Sequence, residues 1–185
     1  MKNYKVAVLV GSLRKESYNL KLAKSLILLA PKSLELELIP IGALPFYNED
    51  AEATPPESWT AFRKQLSQAD AVLFLTPEYN RSVPAVLKNA IDVGSRPYGK
   101  SVWSGKPGGV ISASIGGISG FGANHHLRQS LVFVNVPTMA QPEAYIGGVA
   151  ELFDAKGKLI NESTQGFLSK WLLAFEKWVA TNAVA

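Results

Sequence analysis

The chain alternates between short apolar runs and longer stretches in which apolar residues return every three or four positions. Tyr4 to Val10 reads Tyr-Lys-Val-Ala-Val-Leu-Val and predicts a first strand. Asn19 to Ala30 follows with Leu20, Ala23, Ile27 and Ala30 at helical spacing, and Pro31 ends that helix. Leu34 to Pro40 alternates leucine with glutamate, the mark of a strand with one wetter face, and so of a sheet edge. Ala71 to Thr76 has no charged residue and predicts a central strand covered on both sides.

The remaining elements follow the same logic. An acidic, proline-containing loop from Leu44 to Glu57 leads to a helix over Ser58 to Gln68. Pro84 to Val93 reads as a helix with proline in its tolerated first turn. Gly108 to Ser114 predicts a strand, a glycine-rich turn follows, and a helix is expected from Asn124 to Phe133. Thr138 to Ile146 holds a broken fifth strand, and Gln165 to Thr181 a last amphipathic helix. Five strands alternating with five helices imply an α/β fold of three layers, a doubly wound parallel sheet between helices. All 185 residues fit one domain, which at this size buries roughly 70% of its unfolded surface.

Composition narrows the chemistry. The absence of cysteine removes disulfides, thiolate metal sites and cysteine nucleophiles, and the two histidines, His125 and His126, do not suit a multi-histidine metal centre. No metal site is expected. The net charge of +4 is dispersed, which argues against nucleic acid while favouring small anions. No signal-peptide pattern opens the chain and no apolar run reaches a membrane span, so a cytoplasmic protein is expected.

In doubly wound sheets ligands bind beyond the carboxyl ends of the strands. Three predicted loops leave those ends. The first carries Gly11, Ser12, Leu13, Arg14, Ser17 and Asn19. It lacks the second glycine of a Rossmann turn and the Gly-Lys-Ser/Thr of a P-loop. Its hydroxyls, guanidinium and helix N-terminus suit a phosphate, although Ser17 would equally serve as an ordinary helix cap. The second, Thr76 to Pro84, offers Pro77, Glu78, Tyr79, Asn80 and Ser82; the third, Ser112 to Gly117, offers the small residues Ala113 and Ser114. Each reads alone as a common turn, and together they suit a flat heterocycle with a phosphate tail. Tyr79 would pack on or beside the ring and Asn80 would pair with its edge. No G-x-S-x-G elbow occurs, because Gly117-Ile118-Ser119-Gly120-Phe121 fails at its last position.

The runs Gly11-Ser12-Leu13-Arg14-Lys15-x-Ser17-x-Asn19, Pro77-Glu78-Tyr79-Asn80-x-Ser82-x-Pro84 and Leu87-Lys88-Asn89-Ala90-Ile91-Asp92 resemble the NADPH-dependent FMN reductase family of the flavodoxin-like fold. Its bacterial quinone and chromate reductase members, some described as azoreductases, are the most similar. The resemblance implies strand order 2-1-3-4-5 and FMN as cofactor, with NADPH or NADH as co-substrate. Its phosphate would be held by Ser12, Arg14, Ser17 and Asn19, with Leu13 also among the cofactor-binding residues. Its ring would meet Pro77, Glu78, Tyr79 and Asn80, with Ser82 nearby, and Ala113 and Ser114 would close the other side. Hydride transfer would be ping-pong with no catalytic side chain, to quinones and to chromate or azo compounds. A homodimer or homotetramer is implied, and the nearly all-apolar stretch from Val83 to Val93 agrees with burial against a second subunit. The chain departs from the family pattern at Gly122, where relatives carry arginine, and at His125, where an aromatic residue is common. A flavodoxin-like electron carrier and a flavin-binding regulatory protein are the alternatives; the carrier's usual acidic surface is absent.

Overall fold

The computed structural model describes residues 2–183. Five strands form one parallel sheet: β1 (Tyr4–Val10), β2 (Leu34–Leu38), β3 (Ala71–Thr76), β4 (Gly108–Ala113) and β5 (Ala144–Ile146). Their order is β2-β1-β3-β4-β5, as the resemblance implied. Five α-helices connect and follow them: α1 (Tyr18–Leu29), α2 (Glu57–Ser67), α3 (Ala85–Ser95), α4 (Phe121–Phe133) and α5 (Glu162–Asn182).

Side chains alternate across a strand, and the sheet sorts them into two cores. Val6, Val8 and Val10 of β1 join Leu73 and Leu75 of β3 beneath α1 and α5, where Leu22, Leu26, Trp171 and Phe175 are buried. Ala7 and Leu9 join Phe74 and Val110 on the opposite face, under Phe62 of α2, Leu87 of α3, Trp103 and Leu127 of α4. Both faces of β3 are therefore dry, which explains its uninterrupted apolar run. On β2 the glutamates Glu35 and Glu37 are exposed while Leu34 and Leu36 are buried, as expected of an edge.

The helix boundaries differ from expectation at α4, which starts at Phe121 rather than Asn124. Gly120 turns the chain into it with φ of +75°, and the glycine-rich segment conceals this from a periodicity argument. The fifth strand is confined to three residues, and Thr138 makes only an isolated bridge to Gly108. Asn161 caps α5 by accepting from the Thr164 N–H at 2.9 Å, so that helix begins at Glu162.

Candidate functional site

Register aligns the carboxyl ends of the strands, with Val10 beside Leu75, Thr76 beside Ser112 and Ala113 beside Ile146. The chain leaves β1 towards β2 on one side and β3 continues the sheet on the other. The crevice forms at that reversal.

The turn after β1 begins at Gly11, whose N–H donates to the Leu75 carbonyl. A Cβ there would stand 3.1 Å from Leu87 and 3.4 Å from Pro77, so the turn packs closely against α3 and the second loop. Among the described residues the N–H groups of Ser12, Leu13 and Arg14 donate to no protein acceptor. Ser17 is buried and accepts from the Leu20 N–H at 3.2 Å, so it caps α1 while its own hydroxyl proton stays available. Arg14 lies over the Tyr18 ring at 5.9 Å. Lys21 bonds Glu16 and holds its carboxyl below the usual range, which leaves the turn's positive field largely to Arg14 and the helix end.

Asn19 is buried beside this turn. Its Nδ2 donates to the Ala113 carbonyl at 3.1 Å, tying the first loop to the third, while its Oδ1 is buried without a partner. A buried acceptor left unpaired in the protein is costly unless something else donates to it.

The second loop folds back on itself through paired backbone bonds between Tyr79 and Ser82, at 3.1 and 3.0 Å. Asn80 and Arg81 at its tip have φ of +50° and +64°, the geometry of a type I′ turn. Tyr79 is half exposed. The Glu78 carboxylate is engaged twice, by the Arg81 guanidinium at 3.0 Å and by the Ala123 N–H of α4 at 3.1 Å. That bond accounts for Gly122, where a Cβ would come within 2.9 Å of the Arg81 carbonyl and 3.0 Å of Glu78 Oε2.

The third loop is anchored by the Ser114 N–H to Ile146 and by the Val149 N–H to the Ser114 carbonyl. Buried Asn124 of α4 holds the strand end beneath it through Ser112 Oγ. A cleft of about 240 Å³ lies between the three loops. Ser12, Arg14, Ser17, Asn19, Pro77, Glu78, Tyr79, Ala113 and Ser114 line it, nine residues of the predicted set. The other three stand outside. Leu13 is exposed and packs over Gly42, Asn80 is at the loop tip, and Ser82 turns to His126 Nδ1 at 3.0 Å.

Three further lining residues, Tyr18, Ile115 and Val149, escaped the sequence argument. Tyr18 sits between two motif residues and was readable as an aromatic at the helix start; Val149 follows β5 and had no local signal. His125 bonds Tyr145 at 2.9 Å and packs on Phe121 with ring centres 4.2 Å apart. Burial and the neighbouring Glu143 push the Tyr145 phenol up to about 12, so at neutral pH it is a hydrogen-bonding hydroxyl.

Residues 4–151 match the family described as NADPH-dependent FMN reductase. A quinone reductase of Pseudomonas putida is 62% identical over 180 residues, covering 97% of this chain and 96% of that protein. The solved flavoenzyme NAD(P)H:(acceptor) oxidoreductase FerB from Paracoccus denitrificans superposes with a TM-score of 0.92 at 45% identity, covering 98% of this chain and 100% of that one. A flavodoxin from Pseudomonas aeruginosa shares the fold, with a TM-score of 0.60 at 19% identity over 95% of this chain and 99% of its own. With the family model matching residues 4–151 and relatives similar along nearly its whole length, the chain belongs to the NADPH-dependent FMN reductase family.

Proposed function

We propose that this protein is an FMN-dependent NAD(P)H oxidoreductase that reduces quinones, and that the cleft between its three loops is the flavin site. The observation that carries the site is the set of unmatched groups on its walls. Three unpaired N–H groups, the Ser17 hydroxyl and the Arg14 guanidinium are all donors, and they suit a phosphate dianion. The orphaned Asn19 Oδ1 needs a donor instead, and a ribityl hydroxyl supplies one. The residues present fit FMN.

When bound, FMN supplies the redox chemistry, taking hydride at N5 from a nicotinamide and passing reducing equivalents to the acceptor. The protein's part is position and exclusion. Arg14 and the start of α1 hold the phosphate end, Pro77 and Tyr79 hold the ring from one side, and Ala113 and Ser114 admit it closely from the other. Glu78 is held by Arg81 and Ala123 and is not free to act as a base. The cleft, at about 240 Å³, is smaller than the roughly 300–1,000 Å³ of enclosed ligand pockets, and a flavin held there would be left partly open to successive substrates in a ping-pong cycle.

Quinone reduction follows the activity named for the Pseudomonas putida relative; chromate and azo compounds are further acceptors for an open flavin. Residues 1–185 form one flavodoxin-like domain in this reading. No helix among the described residues is long and apolar enough to cross a membrane; a cytoplasmic location goes with the reductase reading. A homodimer or homotetramer fits α3. Its residues Leu87, Ala90, Ile91 and Val93 are buried inside the subunit and Val86 packs partly against the same core, as does Val83 just before the helix, so a second copy would meet exposed Ala85 and the uncovered parts of the two valines.

Arg14→Ala tests the site. Loss of one charge-assisted contact should weaken FMN binding by roughly 10- to 100-fold, with the thermal unfolding of the flavin-free protein unchanged. Unchanged FMN affinity in a fluorescence titration would remove the first loop from the site. Anaerobic NADPH or NADH should bleach the yellow protein and a quinone should restore the colour; no bleaching with either nucleotide leaves only an electron carrier.

A further inference from the structure

Away from the cleft, the outer half of α1 faces a tight hairpin that leads into α5. Phe153 and Leu159 bridge its two arms, and the Asp154 carboxylate accepts from the Lys156 and Lys158 N–H groups at 2.9 and 2.8 Å. Gly157, with φ of +78°, lets the hairpin tip press against the stem of Lys21. Between hairpin and helix lies a hollow of about 390 Å³, larger than the cleft. The family match ends at residue 151, so the hairpin lies outside it.

The chemistry of this hollow is two-sided. Leu28, Leu29 and Leu159 supply an apolar floor, and Leu28 is 85% exposed. Lys24, Lys156 and Lys158 stand around it from two separate elements. Among the described residues none of the three has a carboxylate within 4 Å; the one acidic side chain of the hairpin, Asp154, takes both backbone N–H bonds on Oδ1. The polar side chains in the wall are also satisfied internally, Ser25 by the Lys21 carbonyl and Gln165 by the Leu159 carbonyl. What remains is apolar surface and an excess of positive charge, three ammonium groups against the single Asp154 carboxylate.

We propose that this hollow binds an amphiphilic carboxylate, with its hydrocarbon chain along the leucine floor and its carboxylate among Lys24, Lys156 and Lys158. The complementarity is of charge and of polarity together. Lysine stems can extend the apolar floor while their heads meet the anion, and the three lysines line the same hollow from two elements. The volume falls within the roughly 300–1,000 Å³ range of small-ligand sites. The site is separate from the flavin reading and stands or falls without it.

Calorimetric titration of the FMN-loaded protein with dodecanoate should show one saturable site per chain, with dodecanol at least about tenfold weaker. The double variant Lys24→Glu, Lys158→Glu should weaken dodecanoate by at least about tenfold, leaving flavin content and quinone turnover unchanged. The proposal is overturned by the absence of saturable binding below the micellar concentration, by equal affinity for dodecanol, or by full binding in the double variant. Competitive inhibition against quinone that persists in that variant would put the ligand in the cleft instead. Sedimentation with phosphatidylglycerol vesicles without binding of free dodecanoate would make the patch a membrane contact and also overturn it.

Discussion

Arg81 shows how a single residue can be chosen against its own backbone preference. It occupies the second central position of a type I′ turn, where glycine is usual and a left-handed conformation costs other residues about 1–2 kcal/mol. Its side chain, 70% exposed, bonds the largely buried Glu78, and with the guanidinium open to solvent the pair returns only about 0–1 kcal/mol. Arg81→Gly should therefore raise the stability of the flavin-free protein by up to about 1 kcal/mol in urea unfolding. A loss of stability would mean that the guanidinium holds the loop more firmly than its exposure implies. Residues of this kind were only half legible in the sequence. Pro77 to Pro84 was readable as a turn carrying Tyr79, but the partner of Glu78 lies 45 residues away at Ala123, and no local pattern reports such a bond. The same distance hid the reason for Gly122.

Elements were legible in proportion to how completely burial dictates their composition. β1 and β3 are covered on both faces and were placed to the residue; β5 pairs over three residues and offered too little pattern to delimit. The loop between β2 and α2 read as irregular and acidic, yet it is fastened. Asn89 of α3 accepts from the Tyr47 N–H at 2.8 Å and donates to the Leu44 and Pro45 carbonyls, while Trp59 Nε1 also bonds Pro45. Arg96 at the end of α3 then meets Glu52, whose carboxyl is held below its usual range by the Tyr47 hydroxyl and by Arg96. Asn89→Ala removes three bonds at once and should cost about 2–4 kcal/mol. Hydrogen exchange at the Tyr47 amide is the direct measurement, since a global loss without local acceleration there would place the effect in α3 instead.

At the scale of the molecule, each core is built around a tryptophan seated on a glycine. A Cβ on Gly94 of α3 would stand 2.5 Å from Trp103, and one on Gly109 of β4 would stand 2.6 Å from Trp171. The indoles donate to the Ile91 and Pro142 carbonyls, so neither ring can retreat without losing a bond. Gly109→Ala should destabilise the protein by roughly 1–3 kcal/mol, measured by thermal melting, with flavin affinity unchanged because β4 meets the cleft only at its far end. The Glu78 carboxylate has a different reach. By closing on both Arg81 and the first turn of α4, it makes the second loop and that helix a single mechanical part. Substitutions confined to residues 79–82 will be resisted by a whole helix, so a redesign that re-aims Tyr79 towards bulkier acceptors must shift the start of α4 as well.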